Sequence, residues 1–168
     1  MYAHPGKKLN FMGSEIGQFK EWAFDEGIEY FLLEYEKHKK YQQYVKKIGE
    51  IYKTNPAFYE IERSWDGFEW LIADDSYNST FALARMSKGG KKVVVIANFS
   101  GIEHKDYRIG IEKGKYKLLL NSDAKSFGGD GGNKKRLFTT KNVASHGKKQ
   151  SIVVDIAPFS CIYLEKSE

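Results

Sequence analysis

The chain has 168 residues, of which 41% are hydrophobic, so it can form the core of one domain and is too apolar for a disordered protein. Its longest apolar runs, Val93–Ala97 and Leu118–Leu120, are too short to cross a membrane, and Lys7 and Lys8 interrupt the only stretch that resembles a signal peptide. The net charge of +5 arises from lysine pairs scattered among acidic residues, which favours solvated surfaces over a nucleic-acid site.

The region before Pro56 is predicted to contain one strand, one long loop and one helix. Leu9–Met12 is a short apolar run that ends at Gly13 and predicts a buried strand. The mixed residues of Ser14–Glu34 follow no period, which is typical of a loop. Apolar residues then recur at steps of three and four, the helical period, until Pro56 ends the helix. The residues that carry this period are Tyr41, Tyr44, Val45, Ile48, Ile51 and Tyr52.

After Pro56 the sequence predicts short strands separated by turns, which is typical of an antiparallel β-sandwich. The hydrophobic period changes here, so we predict two units, residues 1–55 and residues 56–168. The exception is Ser122–Gln150, a polar loop whose glycine-rich part, Phe127–Lys135, is expected to be mobile because ordering glycines costs much entropy. The predicted strands are Phe68–Ala73, Ser79–Met86, Lys92–Phe99, Tyr107–Ile111, Tyr116–Asn121, Ile152–Ile156 and Ser160–Leu164.

The sequence offers few residues for metal or nucleophilic chemistry. Cys161 is the only cysteine, which excludes an internal disulfide and paired-cysteine zinc spacing and fits a reducing, cytoplasmic setting. The histidines lack metal-ligand spacing and form no Ser-His-Asp pattern, so we expect no metal and no other cofactor. The neighbouring acids Asp74-Asp75 and Asp25-Glu26 lie in turn-like sequence and are predicted to cap their own backbone rather than to form a catalytic pair.

The first 18 residues resemble a known family. The string Pro-Gly-Lys-Lys at residues 5–8, followed by Gly13-Ser14-Glu15 and then by Gln18, is similar to the segment of bacterial glycogen branching enzymes that runs into the eighth strand of their catalytic (β/α)8 barrel. The sequence departs from the family pattern at Ala23, where Asn is usual, and at Ile28-Glu29-Tyr30, where Leu-Asp-Trp is usual. Further matching stretches, which extend the resemblance over essentially the whole chain, are Glu21-Trp22, Asn55-Pro56-Ala57, Gly67–Trp70, Val95–Ser100, Tyr107–Gly110 and Leu120–Asp123.

The resemblance implies a parent enzyme that cleaves α-1,4 links of a glucan and rejoins the released chain as an α-1,6 branch in glycogen biosynthesis. A retaining transfer of this kind needs two carboxylates about 5 Å apart. The family's three catalytic carboxylates follow barrel strands four, five and seven, all of which would lie upstream of Met1. We therefore expect an inactive C-terminal fragment. It would contain a strand-loop-helix remnant of the barrel and an α-amylase-type C-terminal sandwich, and its partner would be the missing N-terminal part of the barrel.

Four residues are expected to bind the α-glucan: Glu15, Gln18, Trp22 and Trp65. Glu15 follows the eighth strand, and the active sites of such barrels lie at the C-terminal ends of the strands. Glu15 could equally support a neighbouring loop instead of binding sugar. Trp22 could equally pack within its own loop. Trp65 belongs to a turn and is expected to be exposed, where its ring can stack on a sugar. Trp70, within a strand pattern, is expected in the core.

Two other readings of the function stay open, a stand-alone carbohydrate-binding module and a purely structural domain. The expected fragment would also lack the neighbours that bury Leu9, Phe11 and Met12 in a barrel. Burying one large apolar side chain is worth roughly 1.5–3 kcal/mol. We therefore expect this segment either to fold back on the helix or, through an unpaired strand edge, to cause self-association at high concentration.

Overall fold

A computed structural model describes residues 1–167, which contain one α-helix and eight β-strands. The fold class, an antiparallel β-sandwich, is confirmed, and each strand predicted after Pro56 lies within about three residues of an observed one. No helix in this part of the chain is both long and apolar enough to span a membrane. The elements are α1 (Glu36–Thr54), β1 (Phe68–Asp75), β2 (Thr80–Met86), β3 (Lys92–Asn98), β4 (His104–Ile111), β5 (Lys115–Asn121), β6 (Leu137–Thr139), β7 (Gln150–Ile156) and β8 (Cys161–Lys166).

The strands form two sheets. The larger sheet has the order β1-β2-β3-β8-β5-β6, and β4 pairs with β7 in the smaller one. The three-residue β6 pairs with β5 and was not predicted, because it lies in the polar stretch Ser122–Gln150. Apolar side chains of both sheets meet between them in one core. Its members include Ile72, Ala84, Val94, Ile96, Ile109, Ile111, Tyr116, Phe138, Val154, Ile162 and Leu164.

The larger sheet is buried on its other face as well. Here Leu83, Val95 and Tyr163 pack against Ile48 and Ile51 of the helix. The helix ends at Thr54. The side chain of the following Asn55 accepts a hydrogen bond from the Ala57 backbone N–H (3.1 Å), where Pro56 starts a short 3-10 helix. The described residues thus form three layers: the small sheet, the large sheet and α1.

The predicted strand at Leu9–Met12 is wrong. In this structure the first strand begins at Phe68, and residues 11–18 form successive turns with Met12 (φ 37°) and Gly13 (φ 78°) in the left-handed region. Leu9 is 73% exposed. An apolar run becomes a strand only where hydrogen-bonded neighbours exist, and the described residues provide none here. The barrel-type strand is therefore absent, while the expected loop and helix that follow it are present.

The glycine-rich loop is more organised than its composition suggested. The Asp123 carboxylate accepts hydrogen bonds from the backbone N–H groups of Asp130 (2.9 Å) and Gly132 (2.8 Å). A Cβ at Gly129 would lie 2.3 Å from the Asp123 carbonyl oxygen, so only glycine allows this approach. Phe127 packs on Tyr44 of α1, with ring centroids 5.6 Å apart. The mobility of Phe127–Lys135 stays a prediction, and these contacts oppose it.

Ion pairs join the strand ends on one side of the sandwich. The Glu112 carboxylate pairs with Lys92 (2.6 Å) and Lys166 (3.3 Å), and Lys92 also lies 3.6 Å from Glu69, which pairs with Lys148. The hydrogen bond from Lys92 is the main cause that holds the pKa of Glu112 below its ordinary value.

A depressed folded-state pKa gives a definite pH dependence. The Glu112 carboxylate contributes stability above its unfolded pKa of about 4.3, and that contribution is lost as the pH falls through the lower folded pKa. We expect Glu112→Gln to cost less than about 1 kcal/mol at pH 7, because the pair is half exposed. The free energy of unfolding, measured by urea titration, should then fall less steeply between pH 5 and pH 3 than in the wild type.

The matched control is Glu103→Gln, which removes the same charge from a more exposed pair with Lys105. The control should leave the slope with pH close to that of the wild type. Identical slopes for Glu112→Gln and the wild type would contradict the assignment.

Candidate functional site

Five aromatic rings follow one another across the edge of the large sheet. We call them the aromatic row: Trp65, Phe68, Trp70, Phe81 and Phe99. Successive ring centroids are 5.9, 5.0, 5.9 and 5.3 Å apart. The strand period explains the arrangement, because alternate residues of β1 share one face, and antiparallel pairing with β2 and β3 continues that face.

Three members of the aromatic row are open to solvent. Trp65 is 77% exposed, as expected from its turn, and Phe99 is 63% exposed. Trp70 is 42% exposed, so its predicted place in the core is wrong. Its side chain is on the face of the sheet that α1 covers, but β1 is the edge strand and the helix does not reach that far. Flat exposed rings at this spacing provide apolar faces on which pyranose rings can stack.

An apolar groove continues from the aromatic row towards the helix. Its volume is about 620 Å³, and it lies between the first half of α1 and the outer face of the large sheet. Cys161 lines the groove, with its sulfur 3.6 Å from the Tyr44 hydroxyl, and burial raises the pKa of the Cys161 thiol. Phe81 and Phe99 belong to both features. Other lining residues are Met1, Leu9, Tyr41, Val45, Phe127 and Phe159.

Glu15 and Gln18 lie in the turns that precede α1. Glu15 is half-buried, and its carboxylate accepts a hydrogen bond from the Asn10 side chain (3.2 Å). Gln18 uses both ends of its amide within the same segment: Nε2 donates to the Lys20 carbonyl (2.8 Å), and Oε1 accepts from the Glu29 N–H (3.1 Å). Gln18 therefore organises its loop, while Glu15 keeps part of its surface available to a ligand.

Trp22 is 74% exposed and packs one side of its ring on Phe11, with centroids 5.0 Å apart. Its neighbours Phe19 (74%) and Phe24 (89%) are equally open. We call the surface formed by residues 9–35 the N-terminal patch. Within residues 1–167, no hydrogen bond or ring contact joins Glu15, Gln18 or Trp22 to Trp65. The four predicted site residues thus belong to two separate surfaces.

The patch is fastened to α1 by its own turns. Ile16 is fully buried, and its carbonyl oxygen lies 2.7 Å from Nδ1 of His38 on the helix. A Cβ at Gly17 would be 3.4 Å from the Tyr41 ring. Residues 13–18 therefore fold back on the first half of the helix. The preceding Leu9 and Phe11, for which folding back was one of two expected arrangements, remain exposed.

Of the neighbouring acids Asp74 and Asp75, Asp75 caps the backbone of its own turn, as predicted. Its carboxylate accepts hydrogen bonds from the backbone and side chain of Asn78 and from the Tyr107 hydroxyl. Burial by itself would raise the pKa of Asp75, but these hydrogen bonds outweigh it and lower the pKa. A carboxylate held ionised in this way cannot act as a general acid near neutral pH.

A serine and a histidine do meet beside this turn, which the sequence did not indicate. Ser100 Oγ lies 3.3 Å from His104 Nε2, but the same nitrogen is 2.9 Å from the Asn78 carbonyl oxygen. A carbonyl can only accept, so Nε2 carries a proton and cannot remove one from Ser100. Among the described residues, no group of three or more His, Cys, Asp or Glu side chains is placed to hold a metal ion.

Comparisons with known proteins agree with the fold. Residues 70–167 match the family described as "Alpha amylase, C-terminal all-beta domain". Among solved structures, the catalytic module of the glycogen-degrading pneumococcal virulence factor SpuA is similar, with a TM-score of 0.55 and 11% identity; the likeness covers 84% of this chain and 20% of that one. At this identity, the likeness concerns the fold alone.

Two curated relatives align with nearly all of the chain. The 1,4-alpha-glucan branching enzyme of Pseudomonas fluorescens is 42% identical over 98% of this chain and 22% of its own length. The corresponding enzyme of Aquifex aeolicus is 40% identical over 98% of this chain and 26% of its own length. The chain therefore spans about a quarter of the length of the relatives it matches.

Proposed function

The chain belongs to the alpha amylase C-terminal all-beta domain family, and we propose that it acts as the C-terminal part of a 1,4-α-glucan branching enzyme. The observation that carries this proposal is the alignment with branching enzymes, which extends over 98% of the chain at about 40% identity. The proposed location is cytoplasmic, in keeping with the single cysteine Cys161.

In the proposed reaction, a carboxylate attacks C1 of a glucosyl unit while a second carboxyl group protonates the departing O4. The 6-hydroxyl of an acceptor chain then attacks C1, the second carboxylate takes its proton, and the first carboxylate departs. We assign both groups to the rest of the enzyme, since Asp75 is committed to its turn and Glu26 pairs with Lys20. The role of this chain is to support the catalytic domain and to hold glucan.

The two surfaces divide that role. We assign the aromatic row, with Trp65 and Trp70, to glucan binding, because these two exposed rings are held at the edge of a firm sheet by their contacts with the buried Phe68 between them. The N-terminal patch is the proposed contact with the remainder of the catalytic barrel, where Glu15, Gln18 and Trp22 would stand at the rim of the glucan cleft. In this proposal, residues 1–55 belong to the barrel and residues 56–168 form the C-terminal domain.

By itself the chain should have no branching or hydrolytic activity. Incubation with amylose should leave the absorbance of the iodine complex unchanged. Co-expression with the N-terminal three quarters of the Pseudomonas fluorescens relative, which lacks the stretch aligned here, should restore the loss of absorbance. A steady loss with the repurified chain alone would contradict the assignment of the catalytic carboxylates, and failure of co-expression to restore activity would count against the branching-enzyme role.

Glucan binding by the isolated chain should be weak and should depend on the aromatic row. One aromatic platform contributes about 1 kcal/mol beyond area burial, so dissociation constants in the millimolar range are expected. In native gels that contain glycogen, Trp65→Ala and Trp70→Ala should each reduce the retardation, with a loss of about fivefold in affinity. Tyr77→Ala is the matched control, since Tyr77 is 96% exposed in the β1–β2 turn, outside the row.

The same gels decide between the remaining readings. Equal mobility of the wild type with and without glycogen would favour a purely structural domain. Retention combined with a failed co-expression experiment would favour a stand-alone carbohydrate-binding module.

We expect the chain to self-associate at high concentration through the N-terminal patch. The route through a strand edge falls away because residues 9–12 form no strand, but the exposed Phe19, Trp22 and Phe24 remain. Light scattering should show a mass that rises with concentration, and the rise should be lost in a Phe19→Ser/Phe24→Ser double variant. A wild type that is monomeric at millimolar concentration would contradict this proposal.

A further inference from the structure

Arg85 of β2 is fully buried, although its guanidinium is charged. Nε donates to the carbonyl of Gly67 (3.1 Å), Nη1 to that of Ala3 (3.0 Å), and Nη2 to those of Phe58 (3.2 Å) and Ile61 (3.4 Å). Within residues 1–167, its hydrogen bonds go to backbone carbonyls and none goes to a carboxylate. A buried charge is tolerated only when its donors are satisfied, so these carbonyls are what keep Arg85 in place.

The four carbonyls belong to chain segments that are far apart in sequence. Ala3 precedes the turns, the N-terminal patch and α1, whereas Phe58 and Ile61 follow them. Residues 4–57 therefore form a long segment whose two flanking residues, Ala3 and Phe58, are both hydrogen-bonded to Arg85 of the large sheet.

Lys8 makes a second set of contacts near the start of this segment. Its Nζ donates to the carbonyls of His4 (2.7 Å) and Gly6 (2.5 Å) and lies 5.0 Å from the centre of the Tyr52 ring. Nζ is also 3.7 Å from the Glu62 carboxylate. Residues 4–8 are thereby held against both the end of α1 and the segment that leads to β1.

We infer that Arg85 is a positioning residue that closes residues 4–57 into a loop anchored at both ends on the sandwich. It acts through the backbone of Ala3, Phe58 and Ile61 and touches no ligand. Its link to catalysis rests on the proposed function, because the closed loop carries Glu15 and Trp22, the residues assigned to the rim of the cleft. A guanidinium suits this task because its rigid fork serves several carbonyls at once, whereas a lysine ammonium offers donors from a single point.

A merely structural role for Arg85 makes a different prediction from a positioning role. A core residue that only fills space lowers the stability of the whole sandwich, so all segments exchange their amide hydrogens faster together. A residue that anchors the loop lets residues 4–18 open while the sheet stays closed. The ratio of the exchange rate of residues 4–18 to that of residues 93–97 in β3 separates the two.

The experiment is hydrogen exchange, followed by mass spectrometry, on the full chain with Arg85→Lys. The ratio should rise at least tenfold over the wild type. The matched control is Leu164→Ala, which removes a buried side chain from the core on the opposite face of the large sheet and should raise both rates with little change in their ratio. An equal ratio in Arg85→Lys and Leu164→Ala would overturn the inference.

A second variant keeps the inference testable if Arg85→Lys does not fold. A shortened chain that lacks residues 1–3 and carries its initiator Met in place of His4 has no carbonyl at the position of Ala3 and leaves Arg85 with its other three acceptors. We expect faster exchange in residues 4–18 and unchanged exchange in β3; unchanged exchange in both would overturn the inference. These measurements use neither glucan nor activity, so their outcome is independent of whether the proposed function holds.

Discussion

The large sheet is apolar on both faces, and much of the remaining structure follows from that constraint. Residues 93–98 of β3 are all buried, one set against the small sheet and the alternate set against α1. The outer face of such a sheet needs a covering layer, because exposing its apolar side chains to water would lose the burial that stabilises the sheet. The helix and the segments on either side of it therefore cover the outer face of the sheet. The buried guanidinium of Arg85 satisfies the backbone carbonyls that these covering segments bring into the interior.

The cover is incomplete, and the gaps coincide with the candidate functional surfaces. At the edge strand β1, the helix no longer reaches the sheet, which leaves Trp70 half open beside the exposed Trp65. Along the first half of α1, the gap becomes the apolar groove, and beyond it lies the N-terminal patch. Large exposed apolar areas on a small domain mark contacts with other molecules or other parts of the same protein. In the proposed function, glucan binds the aromatic row and the rest of the catalytic barrel contacts the N-terminal patch.

The sequence predicted the elements whose signal is local. The helical period from Tyr41 to Tyr52 and the β-branched run of β3 each specify their own structure, and both are confirmed. The strand prediction for Leu9–Met12 was wrong because an apolar run forms a strand only beside hydrogen-bonded neighbours, and local sequence does not reveal whether these exist. The predicted burial of Trp70 was wrong because the alternating pattern indicates which face of the sheet a side chain lies on, but not whether another layer covers that face. The exposure of Trp65 was predicted from its turn and is confirmed, whereas the placing of Glu15, Gln18 and Trp22 came from resemblance. The binding roles of all four residues remain proposals.

The single cysteine gives this architecture a chemical reporter. The Cys161 thiol lies where the groove meets the large sheet, beside Tyr44, and burial raises its pKa. The thiolate is the reactive form, so a thiol kept protonated and partly covered is alkylated slowly. Seating another surface in the groove slows the reaction further, and lifting α1 from the sheet accelerates it. The rate at which Cys161 is labelled therefore measures how tightly the helical layer is closed, without any change to the sequence.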